Sequence, residues 1–292
     1  MSLIPGRRAH APAVPTVPRT RTARLLGIAA AALLLPGCTG GDPSTEASAP
    51  APTSPADALQ LVAIGDSIPY NSPDDCPGCT GFVDSYAEEV ATATGRTVDV
   101  ANLSEHTGLT LPGLLDAFDD LSPALEAADV IVVGIAHNST ELASDQPCDT
   151  PLGENDLPVW TAITQECADR SAEEYRPQYE SLFSQIAALR AGQPTLLRTI
   201  NRYNDWIGWT DGNLGPEEEQ KTAMVIAAWN AMLCDAAERN GFACADISGA
   251  FNGPDGLSAS GDLLADDYTH PSDLGNAAIT EVLTGLGFEP LA

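Results

Sequence analysis

A serine, a carboxylate and an imidazole stand where acyl chemistry would need them. Ser67 lies in Gly65-Asp66-Ser67-Ile-Pro69, directly after the apolar run Leu59-Gln-Leu-Val-Ala-Ile64. Near the other end, Asp267-Tyr-Thr-His270-Pro-Ser-Asp-Leu-Gly275 sets an acid three residues before a histidine. At that spacing the carboxylate accepts from one ring nitrogen and fixes the tautomer, leaving the other nitrogen to take a proton from a serine hydroxyl. Plainer roles exist: a serine in a strand-to-helix turn is commonly a cap, and Asp267 and His270 would suit the surface at a helix start. The chain has only four histidines, one of them His10, so a histidine in this setting is informative.

Such residues need a scaffold that carries them to one edge. β-like runs occur at Leu59–Ile64, Thr97–Asn102, Val130–Ile135, Thr195–Ile200 and Phe242–Ile247. Helix candidates fall at 81–94, 172–191, 216–240 and 272–286; the third opens Pro216-Glu-Glu-Glu and stops at Gly241, which are helix start and stop signals. Five strands separated by helices predict an α/β fold with a mostly parallel sheet covered on both faces. In such sheets the site lies at the carboxyl ends of the strands, and Ser67 follows the first of them.

The order of motifs resembles the SGNH (GDSL-type) hydrolase superfamily. Gly65-Asp66-Ser67 is similar to its first block, and Asn102-Leu-Ser-Glu-His-Thr-Gly108 to its second, one residue longer than usual. Gly134-Ile-Ala136-His137-Asn138-Ser139 is similar to the third, with Ala136 where the family has glycine and Ser139 where it has aspartate. Asp267-Tyr-Thr-His270 is similar to the last. The resemblance implies a three-layer α/β/α sandwich with a five-stranded, flavodoxin-like sheet and a serine esterase or lipase activity. It implies Ser67 as nucleophile, His270 as base, Asp267 as its orienting acid, and Ser67, Gly108 and Asn138 as the oxyanion hole. No cofactor or metal is implied. Histidine before the asparagine, as His137 is here, occurs in some carbohydrate acetylesterases of the superfamily, although His137 could equally pack. α/β-Hydrolases are set aside: they require Gly-x-Ser-x-Gly, and Pro69 occupies the last position.

Substrate contacts are sought in loops. Residues 139–171 form an acidic insertion after the third strand, and Asn201-Arg-Tyr-Asn-Asp-Trp206-Ile-Gly-Trp209 follows the fourth. Trp206 and Trp209 would stack on a sugar, line an acyl groove, or only pack the loop. Asp66 is expected to tie down its loop, and Asp74 and Asp75 to be a solvated acidic surface, since their spacing matches no calcium loop.

The N-terminal part has a different character. Five of the 13 basic residues, Arg7, Arg8, Arg19, Arg21 and Arg24, precede Cys38 and no acid does, so the remainder carries 8 basic against 41 acidic groups. That excludes a nucleic-acid partner and a polybasic membrane patch. The basic segment runs into Leu25–Leu35, eleven apolar residues, too few to span a bilayer but suited to a secretory signal. Leu35-Pro-Gly-Cys38 resembles a bacterial lipobox, which implies cleavage before Cys38 and its acylation; ordinary secretion is the plainer alternative. Residues 1–37 are thus expected to be a signal peptide and 38–58, with no Val, Ile, Leu or aromatic residue, a tether. Residues 59–292 then form one catalytic domain on the outer face of a bacterial membrane, or secreted.

Beyond Cys38 remain Cys76, Cys79, Cys148, Cys167, Cys234 and Cys244. Export makes disulfides the default, and of 15 connectivities the sequence-local set 76–79, 148–167 and 234–244 is preferred. A redox role for Cys76-Pro-Gly-Cys79 is the alternative; zinc would need a second such pair. The substrate is expected to be a short-chain, lipid or glycan ester, and the chain a monomer touching the membrane only through its anchor. The competing function is a surface lipoprotein that binds carbohydrate or lipid without turnover.

Overall fold

The computed structural model describes residues 58–138, 148, 150, 158–208 and 214–292. Five strands, β1 (Leu59–Gly65), β2 (Val98–Asn102), β3 (Val130–Gly134), β4 (Leu196–Ile200) and β5 (Ala243–Ala245), form one sheet in the order β2-β1-β3-β4-β5. Every pairing is parallel. The order reverses between β1 and β3, so their carboxyl ends, Gly65 and Gly134, open the crevice where such sheets place their chemistry.

Alternation along the strands divides the core into two layers. Leu59, Leu61 and Ala63 of β1 and Val130 and Val132 of β3 face α2 (Phe82–Thr94) and α8 (Asp273–Gly285), packing on Phe82, Tyr86, Val90, Ile279 and Leu283. Val62 and Ile64, with Ile131 and Val133, face the other way, onto α3 (Leu111–Asp116), α4 (Phe118–Ala127), α5 (Gln165–Leu189) and α6 (Pro216–Arg239). Each of the larger buried side chains contributes about 2 kcal/mol relative to exposure. The α/β/α sandwich follows because both faces of the central strands are apolar.

Several elements depart from the sequence expectation. Helix α5 begins at Gln165, where Thr164 caps it by accepting from the Cys167 N–H at 3.3 Å, so it takes the end of the expected 139–171 insertion. Helices α3 and α4 are hidden in the sequence by Pro112, Gly113 and Pro123. The fifth strand shortens to three residues because Asp246 leaves the sheet to cap α7 (Ile247–Asn252), accepting from the Gly249 N–H at 3.0 Å. Two short 3-10 turns, Trp160–Ala162 and Gly261–Leu263, complete the described elements. Disulfides join Cys76 to Cys79, Cys148 to Cys167 and Cys234 to Cys244, the pairing of an oxidising compartment. No helix among the described residues is long and apolar enough to cross a membrane. Cys38 and Trp209 lie outside the described residues.

Candidate active site

The Ser67 turn is shaped by close approach of two strands. Gly65 has φ +150°, and a Cβ there would come within 1.9 Å of the Gly134 carbonyl oxygen. Only glycine lets β1 end so near β3. The chain then enters α1 (Ser67–Tyr70), a single turn capped by Asp66, whose Oδ1 accepts from the Ile68 N–H at 3.1 Å. Ser67 is buried at the start of that turn.

Asp66 is fully buried and does more than cap. Its Oδ2 accepts from the His137 N–H at 3.1 Å, and the Asn138 N–H also donates to this carboxylate. Burial pushes its carboxyl up from 3.8 to about 6, against the lowering effect of those three N–H donors and the Arg202 charge. The loop bearing Asn138 is thereby pinned to the Ser67 turn.

Asp267 and His270 sit on a loop closed by the Leu264–Pro271 bridge and by the Ala265 N–H donating to the His270 carbonyl at 2.8 Å. Tyr268 takes φ +59°, an uncommon conformation for a residue with a Cβ, and so reverses the chain between acid and base. Asp267 Oδ1 accepts from the N–H groups of Thr269 and His270, each at 3.0 Å. Its Oδ2 accepts from His270 Nδ1 at 2.5 Å. Partial burial would raise the Asp267 carboxyl, but the His270 ring and these backbone donors outweigh it and set it below the ordinary range. With Nδ1 protonated, His270 Nε2 accepts from the Ser67 hydroxyl at 2.9 Å across 203 residues of sequence. Ser67, His270 and Asp267 therefore form a continuous relay.

The other anticipated residues divide. Asn138 stands beside the Ser67 turn through Asp66. Gly108, with φ +69°, donates its N–H to the His106 carbonyl at 3.2 Å; the longer second block closes a tight turn on itself, so in this arrangement Gly108 is not aimed at the serine as expected for an oxyanion donor. His137 is buried, 4.4 Å from Tyr203 ring to ring, and burial together with the Arg202 and His270 charges lowers its pKa well below normal, so it is neutral. Its place is within the packing. Trp206 lines a cavity of about 170 Å³ with Asp205, Asp267, Tyr268 and Thr269, its ring 5.6 Å from that of Trp160.

Residues 201–204 are framework rather than substrate loop. Arg202, buried, donates to the His137 carbonyl at 2.8 Å and pairs with Asp205 at 3.0 Å. Tyr203, which burial keeps protonated, donates to the Thr269 carbonyl at 2.6 Å. This short run therefore braces both the Asn138 loop and the Asp267–His270 loop. Asn276 ties the last helix to the end of the Ser67 turn and to α2, donating to Asn71 at 3.1 Å and accepting from the Phe82 N–H at 3.0 Å. The available signal for the first run was a polar stretch following an apolar strand at the carboxyl edge; for Asn276 there was none.

Asp75 was expected in a solvated surface, but its carboxylate reaches the site. Oδ2 lies 3.4 Å from His270 Nε2 and 3.0 Å from His106 Nε2. Asp75, Asp267 and His270 bring ligand atoms within 4.8 Å of one another. Asp267 meets Nδ1 at 2.5 Å, while Asp75 is near Nε2.

The family model for GDSL-like lipases and acylhydrolases matches residues 63–278. Among solved structures, a lipase from a goat-rumen metagenome aligns with TM-score 0.62 at 19% identity, covering 80% of this chain and 100% of its own. An acetylxylan esterase from Geobacillus stearothermophilus aligns with TM-score 0.50 at 19% identity, covering 80% and 97%. No curated protein matches the chain in sequence. Because the family match runs from the first strand into the helix after His270, the chain belongs to the GDSL-like lipase/acylhydrolase family and is a carboxylic ester hydrolase.

Proposed function

We propose that the protein is a serine esterase working through an acyl-enzyme on Ser67. His270 Nε2 takes the Ser67 proton as Oγ attacks the ester carbonyl; the alcohol departs with that proton, and water, activated by the same nitrogen, releases the acid. Asp267 orients the ring and stabilises the imidazolium. The oxyanion is met by the Ser67 N–H and the Asn138 side chain, each worth about 3 kcal/mol. The observation that carries this reading is the 2.9 Å and 2.5 Å relay from Ser67 through His270 to Asp267.

The preferred substrates are short-chain esters, acetylated carbohydrates among them. The cavity beside Trp206, about 170 Å³ and lined by Asp267, Tyr268 and Thr269, offers room for a small group next to the acid that orients His270. The acetylxylan esterase named above acts on a substrate of this kind. The chain is further proposed to act as a monomer, exported and tethered at the outer face of the cell membrane through acylated Cys38 and residues 38–58, a placement tested by fractionating cells that carry Cys38→Ser.

Activity is tested with the full-length protein on p-nitrophenyl acetate and longer acyl homologues, beside Ser67→Ala. The parent should favour acetate, and the variant should lose at least about 10⁴-fold in kcat. Equal turnover by parent and variant would sink the reading, as would a folded parent that only binds glycans or lipids.

A further inference from the structure

We infer that Asp75, steadied by His106, is a specificity-determining residue on the leaving-alcohol side of the site, selecting alcohols with a free hydroxyl near the ester oxygen and rejecting anionic ones. This rests on the Ser67 esterase reading. In that reaction the Ser67 Oγ–carbon bond forms, the carbon–alcohol oxygen bond breaks, and the proton on His270 Nε2 passes to the departing oxygen. The departing oxygen must therefore come within hydrogen-bond reach of Nε2. Asp75 Oδ2 stands 3.4 Å from that same nitrogen, while Asp267 occupies the opposite end of the ring. A carboxylate so placed is a neighbour of the alcohol portion.

The placement is built into the loop. Ser72, buried, accepts on its carbonyl from the N–H groups of Asp75 and Cys76, both at 3.1 Å, and on Oγ from the Asp74 N–H at 3.1 Å. The Cys76–Cys79 disulfide closes the segment directly after Asp75. His106 Nε2 lies 3.0 Å and 3.3 Å from the two carboxylate oxygens, and its ring stacks on Tyr70 at 5.5 Å. The Asp75 side chain is only 16% exposed, and among the described residues its ion pairs are with His106 and His270, never with Arg or Lys. Two carboxylate oxygens offer about four acceptor directions, so lone pairs remain for an incoming hydroxyl. A neutral polyol satisfies them; a second anion meets repulsion instead.

The test uses three acetates that differ only in the alcohol: n-propyl acetate, 1-acetylglycerol and O-acetyl-lactate. For the full-length parent, kcat/KM should favour 1-acetylglycerol over n-propyl acetate by about 10-fold or more, the usual worth of a hydrogen bond to a charged acceptor. O-acetyl-lactate should be disfavoured by a similar factor, narrowing as salt is raised. Asp75→Ala should bring the glycerol-to-propyl ratio within about twofold of unity, and Asp75→Asn should relieve the penalty on O-acetyl-lactate. A general loss of stability or of imidazole alignment would slow all three acetates alike and leave the ratios in place. Parent ratios near unity, or ratios that survive both substitutions, would overturn the inference. If Ser67→Ala leaves turnover intact, the esterase reading itself fails; serine-dependent turnover with unmoved ratios removes only the role of Asp75.

Discussion

The two loops that meet at the Ser67–His270 contact are built on opposite principles. The Ser67 turn is buried: Gly65 ends against Gly134, Ser67 is shielded, and Asp66 is a carboxylate without solvent that gathers three backbone N–H groups. The loop carrying Asp267 and His270 is partly exposed and is shaped by its own backbone bonds, by the positive φ of Tyr268 and by a brace from Tyr203. Burial raises the Asp66 carboxyl, whereas hydrogen bonds lower that of Asp267, so one acid carries a folding cost and the other a charge ready for the imidazolium. The half that presents the serine is rigid by packing; the half that moves the proton is placed by a few directed bonds.

Disrupting the exposed half should abolish chemistry and spare the fold. Asp267→Asn removes the anion facing Nδ1, and kcat is expected to fall about 10³–10⁴-fold with a melting temperature within about 2 °C of the parent. Disrupting the buried half should do the reverse. Gly65→Ala, whose Cβ would overlap the Gly134 carbonyl at 1.9 Å, is expected to cost about 4 kcal/mol or more, read by urea unfolding.

Asp66→Asn bears on both halves. Replacing an acceptor of three N–H groups with an amide should lower kcat about 100-fold by loosening the Asn138 loop. The same variant isolates a pH effect. Between 3.8 and about 6 the native Asp66 keeps a proton that the unfolded chain has lost, so its contribution falls as pH rises through that window, by about 3 kcal/mol. Unfolding of parent and variant at several pH values across that window should show the parent's advantage shrinking by that amount; a constant difference would mean that Asp66 is ionised throughout. The smallest effect is expected from Tyr203→Phe, which removes one bond to the Thr269 carbonyl: about 1 kcal/mol, or a melting shift of roughly 2–4 °C, with a few-fold fall in kcat.

Local features were legible from the residues alone. Near-continuous apolar runs in β1 and β3 dictate a sheet buried on both faces, and the three-residue interval from Asp267 to His270 suffices for a hydrogen bond within one loop. Neighbouring cysteines pair because few residues separate them. Motif order put Ser67 and Asn138 after strand ends, where an α/β sheet collects its chemistry, and His270 just before the last helix.

What faces what across that edge was legible only in the folded molecule. Asp75 and His270 are far apart in the chain, and nothing in Pro73-Asp-Asp-Cys76 distinguishes an acid aimed at an imidazole from one in water. Residues 201–204 belong to a stretch read as a substrate loop or a packed one, and Arg202 and Tyr203 are buried braces, since the carbonyls they satisfy, those of His137 and Thr269, belong to other loops. Gly108 matched a motif by type, but the extra residue before it turned its N–H onto the His106 carbonyl. Spacing along the chain fixes contacts within a turn or a helix; contacts between loops depend on how two packed layers set the strand ends against one another, and that is a property of the whole core.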